Sequence, residues 1–197
     1  MSKESFKERA RWRREDEIVA AAEALLAERG YANLNMDDLA DVVGISKPTL
    51  YQHFRSKEDL AAEVFIRVLR GTEAFLTEPL TGPAIERIIA LIRWTVTQRR
   101  AAGNMVAGMR PDMLWTVVRA RPEVEEQRQR VHRHIITLIE QARAEASIAP
   151  DMPTALVLHS LLSLQWLLHN PHIRAEVEAN PAGLDGVMAS IERLFLH

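Results

Sequence analysis

Residues 44–54, GISKPTLYQHF in one-letter code, concentrate hydrogen-bonding side chains without a single acid. The segment offers three hydroxyls, one amide, a lysine ammonium and a histidine imidazole. Groups of these types bind the phosphate oxygens of nucleic acids and the edges of bases. Leu50 and Phe54 lie four residues apart, so on a helix they would share one apolar face that can anchor it. The segment is therefore a candidate nucleic-acid contact.

The elements that must position this segment are all helical. Hydrophobic residues recur with helical spacing throughout, and the chain has no sustained period-two alternation and no Asn-Gly or Asp-Gly hairpin turn. The first helix is predicted to begin with the acidic turn at residues 15–17, to carry an apolar stripe from Ile18 to Leu26, and to end at Gly30. We therefore expect an all-α protein.

Two short helices with their own start and stop signals follow. Asn35 is placed to cap a helix over residues 36–43, which Gly44 closes. Ser46 is placed to cap the next helix, whose first turn tolerates Pro48 and which runs to about His53. A short pair joined by Gly-Ile-Ser fits a helix-turn-helix, whose second helix enters the DNA major groove.

The rest of the chain is predicted to be helical as well. Ser56 to Asp59 resembles a capping box that starts a long helix, and further helices are expected near residues 85–98, after Pro122, and over 154–169 and 184–196. Residues 103–111 contain two glycines and a proline, so an irregular segment is expected there. We assign residues 1–55 to a basic arm and DNA-binding domain, and residues 56–197 to a helical effector-binding and dimerisation domain.

Composition excludes several classes of protein. The 197 residues include no cysteine, so disulfides and thiolate zinc sites are ruled out, and we expect a cytoplasmic protein without a membrane span. No sequence motif of a serine hydrolase, phosphate loop, dinucleotide fold or zinc protease is present. His132 and His134 lie two apart and point to different sides of a helix. We expect no enzyme, no cofactor and no metal site.

Charge is concentrated near one end, although the net charge is only -2. Residues 1–14 carry six basic and two acidic side chains, a local charge of +4. This segment could reach into a minor groove or along phosphates, or it could be a solvated, frayed terminus. The sequence favours neither interpretation.

The pattern from Asn35 through Gly44-Ile45-Ser46, Thr49-Leu50-Tyr51 and His53-Phe54 to Ser56-Lys57-Glu58-Asp59-Leu60 resembles the signature of TetR-family transcriptional regulators. The resemblance covers roughly residues 15–62. It implies a three-helix DNA-binding domain followed by a helical ligand-binding and dimerising domain. It also implies a set of DNA-binding residues: Asn35, Ser46, Lys47, Pro48, Thr49, Tyr51, Gln52, His53 and Lys57. Gln52 is the best candidate for reading a base, since its amide can pair with adenine, and Pro48 suits apolar contact with a thymine methyl.

The C-terminal half supplies bulky side chains that suit either a core or a pocket for apolar molecules. The candidate ligand-binding residues are Trp94, Met105, Met109, Met113, Trp115, His159, Leu162 and Trp166. Residues 154–169 are apolar on nearly all sides, so this helix and that over residues 184–196 are predicted to form a homodimer interface. A monomer core is the alternative for these two helices.

The resemblance implies a regulator, generally a repressor, that binds a palindromic double-stranded DNA operator as a homodimer. A small apolar or aromatic effector would release it. Two alternatives remain open. The chain could sense a protein partner, or it could be a ligand-binding or enzymatic helical protein with a vestigial helix-turn-helix.

Overall fold

The structure, a computed structural model, describes residues 3–79, 81–102 and 121–167, together with residues 175, 179, 182, 183, 185, 186 and 189. The helices with defined bounds are α1 (Lys3–Asn33), α2 (Met36–Val43), α3 (Lys47–His53), α4 (Lys57–Thr77), α5 (Ala84–Ala102), α6 (Pro122–Ala144) and α7 (Thr154–Leu167). The all-α prediction is confirmed. No helix in the described ranges is both long and apolar enough to span a membrane.

Helix α1 differs from the prediction at its start. It begins at Lys3 and passes through the acidic turn at residues 15–17 without a break, so the predicted start there was wrong. Alanine, arginine, lysine and glutamate favour helix, and the Arg11–Glu15 pair at 2.8 Å adds support one turn apart. The predicted stop is present as an interruption, because Gly30 has φ 73° and ψ 167°, a combination that only glycine adopts readily.

Helices α2 and α3 have the predicted bounds and caps. The side chain of Asn35 accepts a hydrogen bond from the backbone N–H of Asp37, and Ser46 accepts one from the N–H of Thr49. Gly44 ends α2 in the left-handed conformation at φ 72° and ψ 35°. The turn between the helices is therefore determined by local hydrogen bonds and one glycine.

The start of α4 differs slightly from a regular capping box. The Ser56 hydroxyl accepts a hydrogen bond from the N–H of Asp59 at 3.0 Å, as predicted. The Asp59 carboxylate, however, accepts from the N–H of Arg55 at 3.1 Å. The carboxylate thereby secures the residue that precedes Ser56.

The chain divides into two compact units. The first comprises Met1–Val68 and Ala102–Glu126, and the second comprises Leu69–Ala101 and Gln127–His197. The core of the first unit includes Ile18, Leu26, Leu39, Leu50 and Leu60, all fully buried.

The second unit has an apolar core of its own. Ile88 and Ile92 of α5 and Ile139 of α6 are buried in it. A carboxylate oxygen of Glu145 accepts from the backbone N–H of Ala84 at 2.7 Å, which secures the start of α5. The predicted irregular segment at residues 103–111 and the last predicted helix, residues 184–196, lie wholly or mostly outside the described residues.

Candidate nucleic-acid interface

Helix α3 presents a polar face and buries an apolar one. Leu50 and Phe54 are buried, while the side chains of Tyr51 and Gln52 between them are exposed. Because side chains four apart share a face, the two anchors hold the helix in the core and turn the residues between them outward. Pro48, on the first turn, is exposed as well.

The first turn of α3 carries two hydroxyls and one cation. The oxygens of Ser46 and Thr49 lie 2.8 Å apart, and Ser46 also caps the helix. The ammonium of Lys47 lies 2.7 Å from a carboxylate oxygen of Asp37 on α2. A hydrogen bond to Asp37 and the charge of its carboxylate raise the pKa of Lys47, so this residue is a cation at neutral pH.

Asn35 lies at the start of α2, where its side chain has a structural task and remains exposed. Its Oδ1 accepts from the N–H of Asp37 at 3.0 Å, which leaves the amide NH2 directed to Asp38 at a long 3.5 Å. The capping role is confirmed, and an amide donor remains available at the surface.

His53, the last residue of α3, contacts α1. Its Nδ1 lies 3.2 Å from the carboxylate of Glu15, to which Arg11 also donates at 2.8 Å. Burial alone would raise the pKa of Glu15, but the hydrogen bonds from Arg11 and His53 outweigh it and lower that pKa. One imidazole nitrogen thus holds the end of α3 against α1, a contact that nothing in the sequence indicates.

Lys57 holds the start of α4 against the end of α1. Its ammonium donates to the carbonyl of Ala32 at 3.2 Å and lies 4.6 Å from the ring centre of Tyr31. Burial lowers the pKa of Lys57, and the neighbouring charge of Glu58 partly opposes that shift. The Tyr31 hydroxyl donates to Glu58 at 3.2 Å, and burial together with that carboxylate raises the pKa of Tyr31 to about 12.

Arg121 is a residue of the first unit whose role the sequence did not indicate. It donates to Asp59 at 2.6 Å and to Glu63, both on the first turns of α4. The partners are 62 and 58 residues away in the chain, so no local pattern could have indicated them. Arg121 thereby ties the residue before α6 to the helix that follows the helix-turn-helix.

The candidate ligand-binding residues are only partly described. Trp94 is half-buried in the second unit and stacks on Phe75, with ring centres 4.9 Å apart. His159 is exposed on α7. Six further candidates lie outside the described residues or have side chains outside them: Met105, Met109, Met113, Trp115, Leu162 and Trp166. Within the described part of the chain, no three histidines and acids come together as a metal site would require.

The helix-turn-helix matches a known family. Residues 18–64 match the sequence profile described as "Bacterial regulatory proteins, tetR family". The chain is 27% identical over 172 residues to the HTH-type transcriptional regulator UidR of Escherichia coli K12, covering 82% of this chain and 80% of UidR. It is 25% identical to the HTH-type transcriptional repressor KstR2 of Mycolicibacterium smegmatis, over 78% of this chain and 77% of KstR2.

Solved structures share the fold over nearly the whole chain. A TetR-family transcriptional regulator from Agrobacterium tumefaciens superposes with a TM-score of 0.72 at 18% identity, over 95% of this chain and all of that one. KstR2 of Mycobacterium tuberculosis superposes with a TM-score of 0.65 at 22% identity, over 93% of each chain. Such low identity establishes the fold alone, whereas the profile match and the curated relatives concern sequence. Together with the exposed polar face of α3, they show that residues 18–64 carry the DNA-binding domain typical of TetR-family transcriptional regulators, a family of non-enzymatic DNA-binding proteins.

Proposed function

We propose that the chain is a repressor that binds a palindromic DNA operator as a homodimer and is released by a small apolar or aromatic effector. Residues 1–55 would bind DNA, and residues 56–197 would bind the effector and form the dimer. Helix α3 of each subunit would enter the major groove of one half-site.

The observation that carries the proposal is that α3 has a buried apolar face, which anchors it, and an exposed polar face, which would contact DNA. Gln52 is exposed, and its amide can donate to and accept from one adenine at once. Tyr51, which is 40% exposed, and Lys47 beside it would bind phosphate oxygens. Because Leu50 and Phe54 are buried, the helix can press these groups against DNA without losing its own packing.

Groups at the helix starts complete the proposed contact surface. These groups belong to the first turns of α2, α3 and α4 or to their caps: the amide NH2 of Asn35, the hydroxyls of Ser46 and Thr49, and the ammonium of Lys57. Helix N-termini carry unpaired N–H groups and a partial positive charge, which favour phosphate. His53 would act mainly by holding the end of α3, since Glu15 occupies one of its nitrogens.

The dimer proposal is supported by one face of α7. Val157, Leu158 and Leu161 are buried, whereas Leu156 is 54% exposed and His159 is exposed one turn later. An exposed leucine on a helix that is otherwise strongly apolar is suited to a partner subunit. Residues 154–169 and 184–196 would supply this interface.

The effector proposal is supported by the aromatic pair Phe75 and Trp94. A stacked, half-buried pair in the second unit supplies the flat apolar surface on which aromatic or apolar compounds bind. The methionines and tryptophans that follow in the sequence would add adaptable side chains. A C-terminal domain that binds no small molecule would instead favour the sensing of a protein partner.

The test is selection of duplexes from a random pool by the purified protein, followed by anisotropy titration of the selected duplex at several salt concentrations. A palindromic consensus whose half-site centres lie about 10 base pairs or a multiple apart, with strong salt dependence, is expected. The selected duplex then serves to screen apolar and aromatic compounds for release. An absence of any consensus, with and without cell-extract metabolites, would refute sequence-specific DNA binding.

A further inference from the structure

The N-terminal part of α1, residues 3–14, is a helical basic extension of the first unit. Lys7, Arg9 and Arg13 are exposed and make no ion pair with any carboxylate that the structure describes. Their neighbours differ, because Arg11 pairs with Glu15 at 2.8 Å and Arg14 with Glu17 at 2.9 Å. The extension therefore keeps cations that nothing in the described protein neutralises.

The spacing of these cations opposes the helix that carries them. Arg9 and Arg13 are four residues apart, so they lie one above the other on the same face. Like charges at this spacing destabilise an isolated helix. A row of phosphates would reverse the sign of that interaction, because each phosphate could neutralise one guanidinium and hydrogen-bond to it.

The extension joins the rest of α1 next to the contact between α1 and the end of α3. Glu15, the residue directly after it, contacts His53, the last residue of α3. Twelve helical residues rise by about 18 Å, which corresponds to roughly five base pairs along a duplex. The extension is thus long enough to pass from the edge of a half-site onto the flanking DNA.

The helical state of the extension decides between two modes of DNA contact. A helix with side chains is about 10–12 Å wide, whereas the minor groove is about 6 Å wide. An extended arm can enter that groove, but a helix cannot. A helical extension therefore cannot follow the minor groove as an extended arm does, whereas its exposed arginines can bind the phosphate oxygens that line the groove.

We propose that this basic extension lies along the phosphate backbone that flanks each operator half-site, where Arg9 and Arg13 bind phosphate oxygens. The inference rests on the proposed function, since binding of α3 to DNA brings the extension to the duplex. It adds affinity without sequence preference, because phosphate contacts carry no base information.

The test compares two lengths of the selected duplex. The core duplex ends at the last selected base pair of each half-site, and the extended duplex adds about six base pairs at both ends, slightly more than the extension can span. Wild type, the double variant Arg9→Ala/Arg13→Ala and the control Arg133→Glu are titrated against both. Arg133 is exposed on α6, and its replacement removes the same two units of charge.

Wild type and the control should bind the extended duplex more tightly than the core duplex, whereas the double variant should bind both alike. On the extended duplex the double variant should have a salt slope smaller by about 3 to 4, since each phosphate contact contributes about 0.9 and a dimer carries four of these arginines. For wild type, the gain in affinity from the flanking base pairs should accordingly fall by roughly 100-fold between 50 and 200 mM salt. Alanine is the best helix former, so circular dichroism should show the extension still helical.

Three results would overturn the inference: no gain from the flanks in wild type, an equal gain in the double variant, or an equal loss on both duplexes. Binding of wild type to the core duplex reports on the proposed function separately. If that duplex is bound but the flanks add nothing, only the inference about the extension fails. If wild type binds neither duplex, the proposed function fails and this inference fails with it.

Discussion

Replacing Arg121 by alanine should destabilise the first unit, although the residue lies far from α3 in the chain. The guanidinium donates from Nε to Asp59 at 2.6 Å and from Nη1 to Glu63. The side chains of Arg121, Asp59 and Glu63 are only 26%, 22% and 27% exposed. Without the arginine, two half-buried carboxylates one turn apart on α4 would face each other.

The magnitude follows from the two bonds and their exposure. A hydrogen bond to a charged group contributes about 1.5–3 kcal/mol, and partial exposure to water reduces this contribution. We expect Arg121→Ala to lower the free energy of unfolding by about 2–4 kcal/mol. Adding Glu63→Gln to this variant should restore about 0.5 kcal/mol or more by removing the repulsion.

The loss of stability caused by Arg121→Ala should be smaller at acidic pH than at neutral pH. Burial opposes ionisation of Asp59, but hydrogen bonds from Arg121 and the Arg55 backbone outweigh it, so the pKa of Asp59 lies below its ordinary value of 3.8. A lowered folded-state pKa means that this stabilisation is complete above the ordinary value and is lost as the pH falls through the folded value. Arg121→Ala should therefore be less sensitive to acid than wild type.

Urea denaturation followed by circular dichroism, at neutral pH and near pH 3, measures both effects, and Arg133→Ala on the exposed surface is the control. Arg133 makes no side-chain hydrogen bond with the described residues, so its removal should change the unfolding free energy by about 0.5 kcal/mol or less. If Arg121→Ala were as stable as Arg133→Ala, the ion pairs would not hold α4 as argued.

Three further predictions concern the DNA-binding surface, the dimer and one buried phenol. Gln52→Ala should leave stability within about 0.5 kcal/mol and weaken discrimination at one operator position by about 1–3 kcal/mol, whereas equal loss on cognate and scrambled duplexes would contradict base reading. Leu156→Asp should dissociate the dimer in sedimentation, whereas Ile136→Asp, a 37% exposed control on α6, should not; an intact Leu156→Asp dimer would exclude this face. The raised pKa of Tyr31 means that its contribution to stability is complete below pH 10.0 and is lost as the pH rises towards about 12. Tyr31→Phe should remove that part of the alkaline sensitivity in urea midpoints, and an unchanged pH profile would contradict the role of burial and Glu58.

The helix-turn-helix could be predicted from the sequence almost residue by residue. The bounds of α2 and α3, their N-caps and the left-handed glycine between them depend on hydrogen bonds that span two to five residues. Interactions of that range are encoded in adjacent letters of the sequence. The burial of Leu50 and Phe54, and the exposure of Gln52 between them, follow from the same helical period.

The start of α1 could not be predicted in this way. The acids at residues 15–17 look like a first turn because acids favour helix N-termini, yet Glu15 and Glu17 pair with arginines one turn away inside a longer helix. Both arrangements satisfy the local pattern. The contact between Glu15 and His53, 38 residues apart, is one of the interactions that distinguish them in the folded chain.

The sequence by itself determined the helical class, the resemblance to the TetR family and the exposed face of α3, because each depends on short-range spacing. Only the tertiary structure decided which polar side chains have partners far away in the chain. Lys57 lies against Tyr31 and a backbone carbonyl, and His53 lies against Glu15. Asp59 and Glu63 accept hydrogen bonds from Arg121. The partners in each contact are 25 or more residues apart in the sequence. Such partners are brought together by the packing of whole helices, so the spacing within any one helix does not specify them.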